Sequence, residues 1–176
     1  MILDGVLIRP ETAEDFEGVY EVNKSAFDSE AEPQLVNELR AEKTAFIPEL
    51  SLVATFKGKI VGHIMFTHLG VKHPEYKGGM ITLAPMAVQP EFQTQGIGSV
   101  LIREGLTQAQ KMGFETVVVL GHEKYYPKFG FQEAALFGVK APFTVPSSAF
   151  MVKILSEEFN PAHAGEVIYP QAFELV

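Results

Sequence analysis

The sequence predicts a single α/β domain, and three stretches carry that prediction. Residues 50–56 and 60–69 are rich in β-branched and aromatic residues and are joined by Lys57-Gly58-Lys59, which reads as a hairpin. Residues 80–120 read as one β-α-β unit, for which a right-handed crossover is expected. Between the first strand of that unit and its helix stands Gln93-Thr94-Gln95-Gly96-Ile97-Gly98, a polar turn with two glycines at the helix threshold. At 176 residues and 47% hydrophobic content the chain has the size of one domain with a full core.

Taken in order, Val6-Leu7-Ile8-Arg9 forms a short strand ended by Pro10. Thr12 caps a helix to about Phe27, with Asp15 standing in for the capping-box glutamate. Phe16, Val19, Tyr20, Val22 and Phe27 are its expected buried side. Asp28-Ser29-Glu30-Ala31-Glu32 breaks this helix, and Pro33 fits the first turn of a second one, buried through Leu35, Val36 and Leu39. The acids at 28, 30 and 32 have two readings: they rim an amine site, or they complement the dipole of the following helix.

His63 and His68 lie an odd number of residues apart on the second hairpin strand, so they face opposite sides and cannot chelate one metal. Residues 70–79, with His73, Pro74 and Tyr76, form a polar loop that rims a site or merely connects strands. Residues 80–88 are the next strand, interrupted by Pro85. Proline removes a ladder donor, so in a central strand Pro85 marks a bulge or the point of parting from a neighbour. Backbone groups freed at such a split can pair with a ligand that lies like a strand.

The helix from Gly96 carries Ile97, Leu101, Ile102, Gly105, Leu106, Ala109 and Met112 on a broad apolar face. It ends at Gly113, with Phe114 placed for a C-terminal hydrophobic contact. Thr116-Val117-Val118-Val119-Leu120 has no polar alternation and reads as a strand buried on both faces. Gly121-His122-Glu123-Lys124 leaves it, and Tyr125-Tyr126-Pro127-Lys128-Phe129-Gly130-Phe131 is a short aromatic helix or turn closed by glycine. Residues 149–155 form a late strand; 156–176 receive no element and are expected as a tail packed on the domain of residues 1–155.

Composition narrows the function classes. A net charge of −8 argues against a nucleic-acid partner held by a general basic surface and suits a cationic acceptor such as an amine. With no cysteine there is no disulfide scaffold, thiolate metal site or thiol nucleophile. No apolar run reaches about 18 residues and no basic-then-apolar signal segment opens the chain, so a cytoplasmic protein with no membrane partner is expected.

The glycine turn carries the chemistry. The first amides of a helix lack intrahelical acceptors, and the helix dipole adds about half a positive charge there. Glycines let a phosphate approach the backbone without meeting a Cβ, which makes the turn a diphosphate cradle. The third glycine of a dinucleotide fingerprint is replaced by Leu101, and no lysine precedes Ser99 as a P-loop requires. What remains, Gln93-x-x-Gly96-x-Gly98, resembles the Gln/Arg-x-x-Gly-x-Gly/Ala signature of the GNAT superfamily of acyl-CoA N-acyltransferases. The order of elements and Tyr126-x-x-x-Gly130-Phe131 extend the resemblance over roughly residues 6–155. Leu120-Gly121-His122 and Phe150-Met151-Val152 resemble, more narrowly, a widespread group of bacterial N-acetyltransferases whose acceptors are mostly undefined.

The resemblance implies a three-layer α/β/α fold whose mixed, mostly antiparallel sheet is splayed between its fourth and fifth strands. Acetyl-CoA, the cosubstrate, would enter that V with its pantetheine along Met86, Ala87 and Val88. Its diphosphate would sit on the amides of Gln93, Thr94, Gln95, Gly96, Ile97, Gly98 and Ser99. A primary amine of a small molecule or protein would attack the thioester directly, without a metal, and the Val88 amide could hold the oxyanion. Tyr126 would protonate the departing thiolate; a phenol of pKa about 10 is a fair proton source for a thiol of about 8.5. Glu30, Glu32, His122, Glu123 and water all stand as bases, with no spacing argument among them. The superfamily also allows a homodimer. Two other classes remain open: a catalytically silent acyl-CoA-binding or sensor module, and a nucleotide phosphate-binding protein of another α/β type.

Overall fold

The computed structural model describes residues 3–176, so the first two residues of the expected domain lie outside the described ones. The elements are β1 (Leu7–Pro10), α1 (Phe16–Phe27), α2 (Ala31–Ala41), β2 (Phe46–Phe56), β3 (Lys59–His68), β4 (Gly70–Val71) and β5 (Met80–Val88). They continue with α3 (Ile97–Lys111), β6 (Thr116–Leu120), β7 (Gln132–Glu133), β8 (Phe150–Ile154) and β9 (Val167–Ile168). A seven-stranded sheet runs in the order β1-β2-β3-β5-β6-β8-β7, and β4 pairs with β9 in a small second sheet. Within the large sheet only β5 and β6 are parallel; every other pairing is antiparallel.

Helices cover both faces of the sheet. On one, Leu101, Ile102, Leu106 and Ala109 of α3 pack on Ile64, Phe66, Leu83, Val117 and Val119. On the other, Val19 of α1 and Leu35, Val36 and Leu39 of α2 pack on Val53 and Met65. This is the mixed three-layer arrangement that the resemblance implied.

Before α1 a short 3-10 turn, Ala13–Asp15, takes up the expected first helical turn. The Asp15 carboxylate accepts from the Thr12 N–H at 2.7 Å and from both terminal nitrogens of Arg9 at 2.6 and 3.0 Å. The Arg9 guanidinium holds the Asp15 carboxyl down to about 2. The buried side of α1 is Val19, Val22 and Asn23, whereas Phe16 and Phe27 are exposed, against expectation. Phe16 is instead covered by Arg40, whose guanidinium carbon lies 3.9 Å from the ring centroid. Met112 is exposed too, because α3 stops at Lys111 and Met112 is already its cap. The polar loop after β3 begins as β4, and its partner β9 lies in the segment where no element was expected. Two-residue strands hold no periodicity to read.

His63 is fully buried between α1 and the sheet. The Asn23 amide nitrogen donates to the Val19 carbonyl at 3.0 Å and lies 3.2 Å from His63 Nδ1. Since that nitrogen can only donate, Nδ1 accepts, and Nε2 carries the proton toward Ser51 Oγ at 3.0 Å. Desolvation pushes the imidazole down to about 4. A native pKa below the unfolded value of about 6.5 means the unfolded chain takes up the proton first as pH falls. The stability is therefore intact above about pH 6.5 and drains away between there and about 4. Chemical denaturation should show about 2 kcal/mol lost between pH 7 and 4.5, above the midpoints of ordinary carboxylates. His63→Gln should flatten most of that slope; an unchanged slope would assign it elsewhere.

Candidate active site

The β5–β6 ladder is short: Met80, Ile81 and Thr82 pair with Thr116, Val117 and Val118. At the last rung Thr82 Oγ1 donates to the Val118 carbonyl at 3.2 Å. Beyond it β6 continues with β8 through Leu120, while β5 stays on β3 up to Val88. The β3–β5 register slips between Phe66–Leu83 and Ile64–Met86, so Ala84 and Pro85 form a bulge at the start of the gap. Pro85 thus marks both things proposed for it, a bulge and a parting.

Backbone alternation fixes what faces the gap. Gln89 donates to the Val61 carbonyl at 2.9 Å, and Ala87 lies opposite His63, so both turn toward β3. The N–H groups of Met86 and Val88 therefore point the other way, into the gap. The backbone groups of Ala87, expected along with them, are engaged with β3. Gln93 Nε2 reaches back to the Val88 carbonyl at 3.1 Å and braces the strand end against the turn.

In the turn, Thr94 at φ 64° and Gly96 at φ 83° take left-handed backbone, with Gln95 between them on the ordinary side. Alternation of this kind converges successive N–H groups on one point, an anion-binding nest. A β-branched residue in the left-handed region costs roughly 1–3 kcal/mol, and such strain persists where surrounding structure imposes it. Gly96 caps α3, so the nest feeds directly into the free amides of the helix start. A Cβ on Gly98 would lie 3.3 Å from the Tyr125 hydroxyl and 3.5 Å from Met86 Cε, which places the turn, the gap strand and the tyrosine pair side by side.

Tyr126 opens the short 3-10 helix Tyr126–Phe129 and is 8% exposed. Its ring meets Tyr125 and Phe131 edge-on, at 5.2 and 5.6 Å between centroids. Burial, with Tyr125 adding to it, pushes the phenol up to about 12. A Cβ on Gly121 would lie 2.4 Å from this ring, so the glycine after β6 is what lets Tyr126 sit against the strand.

A cavity of about 760 Å³ opens on the gap. Pro85, Met86, Tyr125 and Tyr126 line one end, Phe27, Glu32 and Leu35 another, and Phe143, Tyr169 and Phe173 close it from the late part of the chain. That late wall is tied down by the Gln171 and Ala172 N–H groups, which donate to the Glu42 carboxylate at 3.2 and 3.3 Å. Among the residues considered as bases, Glu32 and His122 line the cavity. Glu30 does not; it pairs with Lys24 at 2.9 Å and with Tyr20. Glu123 lines a separate surface depression. Thr82, Phe143, Tyr169 and Phe173 had no sequence signal, since only the tertiary fold brings them to the gap. Among the described residues no three His, Asp or Glu side chains gather as metal ligands.

A profile of the acetyltransferase (GNAT) family matches residues 16–131. The Escherichia coli K12 protein described as uncharacterized N-acetyltransferase YjhQ is 43% identical over 133 residues, 75% of this chain and 73% of its own length. Uncharacterized N-acetyltransferase YhbS of the same organism is 32% identical over 169 residues, covering 96% of this chain and 98% of its own. The crystal structure of E. coli YhbS in complex with CoA superposes with a TM-score of 0.87 at 31% identity, over 96% of this chain and 92% of that one. A GNAT family acetyltransferase from Brucella melitensis in complex with acetyl-CoA gives 0.78 at 32% identity, over 96% and 97%.

Glycine variants in the turn separate ligand access from folding. Valine at Gly96 would be strained by its backbone alone, so Gly98, at ordinary helical φ, is the cleaner position. Gly98→Val should keep the melting temperature within a few degrees and weaken acetyl-CoA binding more than tenfold by calorimetric titration. Equal affinity in the folded variant would remove the diphosphate from this turn.

Proposed function

The chain belongs to the acetyltransferase (GNAT) family and is an acyl-CoA-dependent N-acetyltransferase; from that premise we propose that it passes the acetyl group of acetyl-CoA in one direct transfer to a primary amine. The observation that best supports this is the pair of N–H groups on Met86 and Val88, freed where β5 leaves β6, beside the cavity that opens on the gap. An extended pantetheine arm can pair there as a missing strand would. Its diphosphate end would rest on the nest and the helix start over Gln93, Thr94, Gln95, Gly96, Ile97, Gly98 and Ser99, largely through backbone amides.

In the transfer, the nitrogen lone pair bonds to the thioester carbonyl carbon while the carbonyl π pair moves onto oxygen. The Val88 N–H, fixed in the strand, would hold that oxyanion. Collapse re-forms the carbonyl and breaks the carbon–sulfur bond; the sulfur takes a proton from the Tyr126 hydroxyl. The nitrogen sheds one proton to solvent and the phenol regains one, so the products are the amide and free CoA. A phenol held near 12 is a reluctant acid toward a thiolate of about 8.5 in water, but the desolvation that raises the phenol also raises a thiol placed beside it. A catalytically silent module would have no use for this unionised hydroxyl at the gap.

Tyr125 has a competing claim, because its hydroxyl hangs over the first turn of α3 near Met86. Single phenylalanine variants decide between them. Tyr126→Phe should cut kcat by roughly 10²–10⁴-fold with acetyl-CoA affinity retained, given an acceptor reactive enough to expose thiolate departure. Tyr125→Phe should do much less. The reverse pattern would move the role to Tyr125, and full activity in both would assign the proton to water. Gly121→Ala, which drives Tyr126 off the strand, should reproduce most of the Tyr126→Phe loss while leaving acetyl-CoA binding intact.

A further inference from the structure

We propose that the acceptor is a small primary amine carried on an aromatic or branched-hydrocarbon body, and that Glu32 is the residue that selects it. The proposal rests on the transfer reading above and adds the chemical class of the second substrate.

Charge in the cavity has one sign. Glu32 and Glu174 line it, and among the described residues no lysine or arginine does. A carboxylate-bearing acceptor would therefore meet repulsion with no counter-charge, whereas an ammonium would find one. Glu32 is the better placed of the two acids: its Oε2 is buried and has no hydrogen-bond partner. Leaving a buried acceptor unpaired is unfavourable, more so when it is charged, so an uncompensated carboxylate oxygen on a residue of the cavity wall suits a donor that arrives with the ligand. Its position in the first turn of α2 keeps negative charge favourable there.

Most of the remaining wall is apolar, with Thr82, His122, Gln171 and three tyrosines as its polar members. Phe27, Leu120 and Phe143 are 41%, 47% and 45% exposed, and all three line this cavity. Leu35 and Phe173 continue the surface inward. Exposed apolar area gathered around one concavity marks a binding surface, and about 760 Å³ is the room of a small-molecule site. Part of that room must go to the acetyl-pantetheine end, so a single-ring or short branched amine fits better than a long polyamine. Such a body would bury carbon against these rings and leave its nitrogen for Glu32, a combination that a polycation or an amino acid cannot supply.

The test is a comparison of four small molecules. 2-Phenylethylamine, phenylalanine and spermidine are offered as acceptors with acetyl-CoA, following thiol release, and 2-phenylethanol serves as a neutral competitor. Phenylethylamine should exceed both other amines at least tenfold in kcat/KM. Glu32→Gln should raise its KM more than tenfold while leaving acetyl-CoA affinity and the inhibition constant of 2-phenylethanol unchanged, an outcome that mere loss of structure would not give. Spermidine or phenylalanine as the better acceptor, or an unchanged KM in Glu32→Gln, overturns the proposal while the transfer reading stands. Should no amine be acetylated although acetyl-CoA binds, the transfer reading fails, and calorimetry of phenylethylamine decides the rest. Binding that Glu32→Gln abolishes supports the site, and absence of binding to the unaltered protein overturns it.

Discussion

The site depends on one interruption, the end of β5–β6 pairing after Thr82 and Val118. A parallel ladder carried further would consume the N–H groups of Met86 and Val88 and fill the space now open. Two local features hold the strands apart. The bulge at Ala84-Pro85 bends β5 while β3 still grips it on the far side, and proline has no N–H with which to resume the ladder. On the other side, β8 pairs with all of β6 and draws it away. The Thr82 hydroxyl, bonded to the Val118 carbonyl, stands at the vertex.

Close packing carries this geometry to the turn. A Cβ on Gly105 would lie 2.3 Å from the Phe66 ring, and one on Gly62 would lie 3.0 Å from Leu101. Glycine in a helix interior costs roughly 0.5–1 kcal/mol relative to alanine, so Gly105 is tolerated for the approach it permits. With α3 pressed onto β3 at both places, the helix start cannot drift relative to β5. The Gln93–Val88 hydrogen bond closes the same loop from the chain side.

Long, periodic or punctuated elements were legible in the sequence. The β-α-β unit, the glycine turn, the Gly113–Phe114 helix end and the proline break each have a local cause, and each stands where the residues placed it. Phe16 and Phe27 misled because hydrophobicity alone does not say whether an aromatic ring meets a core, a guanidinium or a cavity. The second small sheet and the late wall were invisible for another reason. β4 and β9 are two residues each and acquire meaning only once they meet, nearly a hundred positions apart in sequence. Of the site, the part built from backbone and glycine was readable; the part built from side chains converging out of distant loops was not. His63 belongs to neither group, since its opposite facing from His68 followed from spacing but its buried bond to Asn23 did not.

The late segment that closes the cavity is anchored by the β4–β9 pair, by the buried Val167 and Ala172, by backbone bonds to Lys72 and Lys140 and by two amides on Glu42. The gap, the nest and Tyr126 are built from β5, β6, α3 and the short 3-10 helix after β6, all earlier in the chain. The gap and the glycine turn thus come from one part of the chain, and much of the cavity mouth from another. A substitution at Phe173 would reshape the mouth while leaving the gap and the glycine turn as they are.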